Sequence, residues 1–380
     1  MPAKHGRIGS IDAMRVLAML AVIQIHSPWY SKVNVTSLDA ATIADQLARF
    51  AVPFFFVISG YLWASRCAPT GDYWPRSVAT SKRVLIIFCF WSLIYAIGPS
   101  LYVIRQEGLD SLIANMMKVI SPFDAIKFIT VVLQGTKNHL WFLPALAIAA
   151  LISGALLARR QELILFVLAF SLFAVGLAGS AYSDAPYGFT SSFNFRNGPF
   201  FSLIMFYSGY AIHRYGQGLA LLPIGIAIAI GGFVLQLFET TWIHQHWGTP
   251  LLHDYIVGTY FFGLGMGMIA LSNTRYLRVK ALASIGPLIL GVYASHYYFV
   301  EHVRWLEKVV ENPYLRGGAY LAVVFLLALG AWHIVHACAI SRDKAVCHLM
   351  LQRVSKPLSP FGTRTFDEEY AEPVGQKWHD

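Results

Sequence analysis

Apolar residues run through this chain in long, nearly uninterrupted stretches. Ten can be read, at 11–30, 41–64, 84–104, 140–158, 163–179, 199–212, 219–238, 255–271, 281–300 and 318–340. A helix needs roughly 20 predominantly apolar residues to cross a bilayer. A backbone in lipid must also satisfy its own hydrogen bonds, which leaves helices and closed barrels. None of the stretches shows the period-two polarity of a barrel strand. The pattern therefore predicts an all-α, polytopic integral membrane protein with about ten transmembrane helices. Most connections are short. The longest, 105–138, contains an apolar piece at 112–120 that is expected to lie along the membrane interface. Pro53, Pro144 and Pro287 are expected to kink their spans, as prolines around a cavity often do. Arg15 interrupts the first stretch and no small-residue cleavage site follows it, so the stretch reads as a retained span rather than a cleaved leader.

Composition and charge sharpen the picture. Of 380 residues, 56% are hydrophobic and 13% charged, against roughly 25% charged in soluble domains. That excludes a disordered chain and weighs against an ordinary soluble enzyme. With the N-terminus on the cytoplasmic side, the inside segments hold twice as many lysines and arginines as the outside segments. The positive-inside rule then favours N-in and C-in. The division expected is a membrane domain at 1–341 and a polar cytoplasmic tail at 342–380. The net charge of +9 is scattered rather than clustered. Topology and attraction to membrane lipids account for it, and no nucleic-acid partner is needed. Cys67, Cys89, Cys338 and Cys347 all fall toward the inner side with no metal-type spacing, and read as reduced thiols.

Ionisable residues inside a span are costly, roughly 2.5–3.5 kcal/mol at the bilayer centre. The first span carries Arg15 near its cytoplasmic end and His26 toward its outer end. Eleven residues make close to three helical turns, so the two side chains share a face about 16 Å apart along the axis. Two readings fit. In one, Arg15 snorkels to the inner headgroups beside Asp12 and His26 is a neutral, hydrogen-bonded bundle residue. In the other, this face lines a passage with a cation at its mouth and a proton acceptor deeper in.

Other chemistry is thinner. His244, His246 and His253 are expected in an outside loop with Glu239 and Asp254, but no fourth ligand is assured and no metal is expected. Gly263 and Gly267 fit close helix packing. There is no Gly-x-Ser-x-Gly, P-loop or His-Glu-x-x-His, so serine-hydrolase, ATPase and zincin mechanisms lack support.

Asp12-x-x-Arg15, followed after ten residues by His26, resembles the first-helix signature of the acyltransferase-3 family, polytopic membrane proteins that acylate cell-envelope molecules. Four further segments are similar to the family in the same order: 49–62 (RFAVPFFFVISGYL), 82–87 (KRVLII), 139–143 (HLWFL) and 285–296 (IGPLILGVYASH). The last departs from the family pattern by reading Tyr-Ala-Ser-His, which weakens the case for His296. Val-Pro-Phe-Phe and His-Leu-Trp-Phe are most similar to the surface-polysaccharide O-acetyltransferase branch.

The resemblance implies transfer of an acyl group, most simply acetyl, from cytoplasmic acyl-CoA across the cell inner membrane. The acceptor would be a hydroxyl of an envelope carbohydrate or glycolipid. It puts the functional weight on Arg15 and His26. Histidine is the usual base at neutral pH, so His26 is the expected base. An acyl-histidine intermediate is a variant that stays open. Guanidinium groups suit the phosphates of CoA, so Arg15 and Arg83 are the expected donor-binding residues, whereas Arg66, Arg76 and Lys82 read as topology charge. His139, Trp141, Tyr293 and His296 fall near the outer side as acceptor-contacting candidates. Trp141 is also expected to anchor in the interfacial aromatic belt. Arg49 either contacts substrate or simply neutralises Asp45. The competing reading is a secondary transporter or exporter using intramembrane Arg and His. Against it, no internal repeat is visible.

Overall fold

The computed structural model describes residues 8–27, 38–120, 125–312 and 315–334, and among them every regular element is helical. Fifteen helices follow in order: α1 (Gly9–Ile25), α2 (Ala40–Ala48), α3 (Ala51–Cys67), α4 (Tyr73–Glu107), α5 (Leu109–Ile120), α6 (Ala125–Gln134), α7 (Phe142–Ala158), α8 (Glu162–Ala178), α9 (Pro199–Tyr215), α10 (Leu221–Trp247), α11 (Val257–Leu271), α12 (Lys280–Ile285), α13 (Ile289–His302), α14 (Leu306–Val309) and α15 (Leu315–Ile334). Short 3-10 turns at Asn138–Trp141 and Gly286–Leu288 lead into α7 and α13. Met1–His333 forms one unit and Ile334 opens a second. The expected tail at 342–380 lies outside the described residues.

Over the described residues, helix covers most of each of the ten apolar stretches. Among the described residues, five segments are long and apolar enough to cross a bilayer: Ala40–Cys67 (α2 with α3), α4, Asn138–Ala158 (ending in α7), α10 and α15, with α8 and α11 as shorter apolar helices. Along their apolar stretches these helices expose large apolar side chains. On α4 these include Ile86, Phe90, Leu93, Ile97 and Leu101, and on α10 Ile226, Ile230, Val234 and Phe238. Both series step by three or four residues, so each forms one stripe along its helix. A continuous apolar stripe facing outward suits lipid and not water.

Inside the bundle, small residues let helices meet. A Cβ on Gly60 of α3 would strike the main chain of Phe206 on α9, and one on Gly209 of α9 would strike the Val57 carbonyl on α3. Gly263 and Gly267 of α11 meet Pro53 and Val57 of α3 in the same way, as their spacing predicts. Serines tie the helices together: Ser10 donates to the Ala270 carbonyl at 2.6 Å, Ser81 to that of Ala147 at 3.0 Å, and Ser202 to that of Ala145 at 3.0 Å. Glu239 of α10 accepts the first amides of α11, from Val257 at 2.9 Å and Gly258 at 2.7 Å, and also the Tyr182 hydroxyl. A carboxylate at a helix N-terminus answers both its unpaired amides and its dipole.

Several expectations need correction. Pro53 and Pro287 accompany outright breaks within their predicted stretches, between α2 and α3 and between α12 and α13, whereas Pro144 lies in the first turn of α7 and kinks nothing. Pro53 and Pro144 each occupy the third position of a helix, and Pro287 lies in a 3-10 turn. Pro53 has no N–H for the Arg49 carbonyl four residues earlier, and α2 stops there. The proline inside a helix is Pro99, in α4. α4 starts eleven residues before the predicted span, which puts Arg76, Lys82 and Arg83 on a helix rather than in a loop. α10 runs on to Trp247, so Glu239, His244 and His246 belong to a helix and not to the expected outside loop. The 105–138 connection folds as α5 and α6, with Leu109, Ile113, Met116 and Met117 exposed on α5.

Candidate active site

One end of α1 meets α3, α4, α7 and the α12–α13 turn around a cavity of about 430 Å³. Four guanidinium groups line it: Arg15 from α1, Arg66 from α3, and Arg76 and Arg83 from α4. Of the α4 residues that line it, all but Val84 lie in the part of the helix that precedes the apolar stretch. Arg15 pairs with Asp12 at 3.1 Å, and Gly286 leaves room for the Asp12 side chain against the turn. Arg66 donates to the Leu62 carbonyl at 3.1 Å. The Arg76 Nε is buried without a partner. Among the described residues no carboxylate pairs with Arg66, Arg76 or Arg83. Gathering positive charge in one concavity costs free energy unless an anion shares it. Ser59 and Thr80 add hydroxyl groups to an otherwise apolar wall of Phe55, Ile58, Trp63, Phe142 and the Tyr293 ring. Arg66 and Arg76, set aside by the sequence reading as topology charge, thus stand with Arg15 and Arg83.

At the other end of α1, three imidazoles converge. The ring of His26 lies 5.4 Å from that of His296 and 6.4 Å from that of His139, and the latter two are 5.0 Å apart. His139 stacks on Tyr297 at 4.9 Å and meets Tyr95 edge-on at 5.3 Å. His139 and His296 are buried, and His26 is half-buried. Each ring spends one nitrogen on a main-chain carbonyl: His26 Nδ1 on Val22 at 2.8 Å, His296 Nδ1 on Tyr293 at 2.6 Å, and His139 Nε2 on Ala294 at 3.4 Å. A carbonyl only accepts, so each of those nitrogens carries the hydrogen in a neutral ring and the other nitrogen carries the lone pair. The lone-pair nitrogens of His139 and His296 are buried with no partner. The chamber therefore offers acceptors and asks for donors, as a hydroxyl or a transferable proton would supply.

The two compartments abut without merging. Tyr293 and Phe142 line the arginine cavity. The Tyr293 ring also lies 5.8 Å from His139, 5.8 Å from His296 and 5.4 Å from Phe142. Its hydroxyl donates to the His139 carbonyl. Arg15 borders the cavity and His26 does not, so the expectation of one hollow shared by both is corrected: an aromatic partition stands between them.

The remaining candidates divide. Arg49 is spent on structure, with Nε 2.8 Å from Asp45 and a terminal nitrogen 2.5 Å from the His253 carbonyl, which braces the α2–α3 break against the loop before α11. Trp141 is buried against Phe56 rather than exposed in an aromatic belt, and the Arg196 guanidinium covers it at 5.6 Å. His244 and His246 bond to the carbonyls of Thr249 and Trp242. His253 keeps a buried, unpartnered Nε2, and burial, followed by the Arg49 charge, pushes its imidazole down to about 4. Arg196, which the sequence reading did not single out, touches Trp141 and the Asn138 side chain on either side of His139. Nothing in its local sequence marks it; a long connection brings it there.

The family model described as an acyltransferase domain matches residues 8–336, so the chain belongs to the acyltransferase-3 family. Three relatives illustrate its range. An amino-acid racemase of Enterococcus faecalis is 25% identical over 94% of this chain and 50% of its own length. A serine/alanine racemase of Enterococcus gallinarum is 25% identical over 76% of this chain and 46% of its own length. The succinoglycan biosynthesis protein ExoH of Rhizobium meliloti (strain 1021) is 27% identical over 26% of this chain and 28% of its own length. The chain spans about half the length of the racemases or less, so their named activity does not come with the match. No solved structure matches.

Proposed function

We propose that this protein transfers an acyl group, acetyl in the simplest case, from acyl-CoA to a hydroxyl of a cell-envelope carbohydrate or glycolipid. The observation that carries the reading is the abutment of a four-arginine cavity and a three-histidine chamber across Tyr293. The CoA phosphates take the place of the missing anion among Arg15, Arg66, Arg76 and Arg83, where guanidinium forks give paired, charge-assisted bonds. Tyr293 and Phe142 close the way between the two compartments, so in this reading their rings swing aside when the donor binds and the pantetheine arm brings the thioester to the chamber. There His26, with Nδ1 on the Val22 carbonyl, presents Nε2 as general base to the acceptor hydroxyl. In this reading the chain crosses the cytoplasmic membrane about ten times with both termini inside. The arginine cavity faces the cytoplasm and the chamber faces the outer leaflet. Kinship with a succinoglycan biosynthesis protein supports a polysaccharide acceptor.

The test is CoA release from acetyl-CoA by the purified protein in detergent. A transferase releases free thiol, faster with acceptor, and loses this on His26→Ala. Release of no thiol from the folded protein under any acceptor refutes the reading and favours a transporter.

A further inference from the structure

Arg196 sits in the connection between α8 and α9 and is fixed at three points. One terminal nitrogen lies 3.1 Å from Asp254, the other 3.0 Å from the Asn138 side chain, and the guanidinium carbon lies 5.6 Å from the centre of the Trp141 ring. Asn138 and Trp141 are the two ends of the 3-10 turn that carries His139. The guanidinium is thus clamped against both ends of the turn that supplies one of the three imidazoles. Its third donor, Nε, is buried and has no partner. A charged donor left open in a protein costs roughly 1–3 kcal/mol, and this Nε is free to donate to a ligand. The turn that Arg196 holds carries His139, whose ring lies 6.4 Å from that of His26.

Acyl transfer needs what the histidines cannot give. When a hydroxyl attacks a thioester, negative charge gathers on the former carbonyl oxygen, and fixed donors aimed at that oxygen are the main source of rate. Three neutral imidazoles with their N–H groups spent on carbonyls offer it nothing.

We propose that Arg196 is the oxyanion-stabilising residue; this rests on the acyl-transfer reading above. The acceptor oxygen bonds to the thioester carbon as its proton passes to His26 Nε2. The carbonyl π pair moves onto oxygen, where Arg196 Nε–H holds it. The pair then returns, the C–S bond breaks, and the proton on His26 passes to the leaving thiolate. The products are an ester and free CoA thiol.

The experiment measures kcat, KM for acetyl-CoA and melting temperature for the wild type, Arg196→Gln, Arg196→Lys, Arg196→Ala and Asp254→Asn. Expected is a fall of about 10²–10³-fold in kcat for Arg196→Gln, with KM within about twofold. Arg196→Lys keeps the charge and the contact with Trp141 but loses the fork, and falls about tenfold or more. Guanidinium added to Arg196→Ala restores activity and ammonium does not, a response that a purely structural clamp would not give. Asp254→Asn retains most of its kcat. If Arg196→Gln keeps kcat within about threefold, or Asp254→Asn loses as much as Arg196→Gln, Arg196 only braces the loop and the proposal is overturned. Should Arg196→Gln fail to fold, full activity in Arg196→Lys or no response of Arg196→Ala to guanidinium overturns it as well. A wild type that releases no CoA removes the acyl-transfer reading itself. A wild type that turns over, with His26→Ala inactive and Arg196→Gln unimpaired, removes this inference alone.

Discussion

Replacing Arg76 or Arg83 with alanine separates a phosphate-binding cavity from a patch of topology charge. Arg76 is half-buried, has an unpartnered Nε and pairs with no carboxylate among the described residues. Its removal therefore leaves no anion unpaired, and the change in affinity reports the lost contact directly. A charge-assisted hydrogen bond contributes roughly 1.5–3 kcal/mol, or about ten- to a hundredfold in Kd for acetyl-CoA. Arg83 is exposed, where water and salt screen its charge, so Arg83→Ala should stay near the low end, about tenfold or less. Arg15→Lys keeps a charge beside Asp12 but loses the fork, and should weaken donor binding while leaving the melting temperature close to wild type. Isothermal titration in detergent at two salt concentrations reads all three, and wild-type affinity should fall as salt rises. If Arg76→Ala binds acetyl-CoA as tightly as wild type, with the same salt dependence, the donor does not dock at this cavity and the assignment fails.

Three other outcomes follow from the geometry. Glu239→Ala removes the acceptor of two helix-start amides and a tyrosine hydroxyl; each orphan costs about 1–3 kcal/mol, so denaturant unfolding in mixed micelles should lose about 3 kcal/mol or more, and a loss under about 1 kcal/mol contradicts the capping role. Gly209→Ala should destabilise by roughly 1–3 kcal/mol because its Cβ meets the Val57 main chain, whereas Gly231→Ala, with nothing near it, should not; equal effects would refute close packing of α3 on α9. His253 has its folded value pushed down to about 4, so as pH falls the unfolded chain takes up the proton first, near its ordinary value of about 6.5. The native state should keep full stability above about pH 6.5, lose up to about 3 kcal/mol on the way to pH 4 and level off below; His253→Gln should remove that part of the slope, and superimposable pH curves for the two proteins contradict it.

Helix positions were legible from sequence because lipid demands long apolar runs, and over the described residues helix covers most of each of the ten runs. The ends were not. α4 and α10 extend past their apolar runs because polar residues continue a helix at no cost once outside hydrocarbon, and hydropathy is blind to that. The break at Arg49 and Phe50 was written in Pro53, whose missing amide acts four residues upstream rather than at the proline itself. At the site, Arg15 and His26 announced themselves because an ionisable group in an apolar helix is expensive. His139, Tyr293 and His296 came from segments similar to the family, and the structure brings them together around His26. Arg66 and Arg76 carried no such signal, since basic residues beside a span are what topology alone requires. Arg196 and Asn138 lie 58 residues apart, and only folding relates them.

The length of α4 has a physiological consequence. Thirty-five residues make a rod of about 52 Å, and even at the steepest usual tilt, about 40°, it reaches some 40 Å through a hydrocarbon layer about 30 Å thick. In the proposed orientation the surplus is its first three turns, which hold Arg76 and Arg83 at the depth of the phospholipid phosphates. Were the nucleotide of acyl-CoA to dock there as proposed, bilayer lipids would compete with it for the same guanidiniums. Donor affinity would then be a property of the membrane as well, weakening as phosphatidylglycerol or cardiolipin replaces neutral lipid.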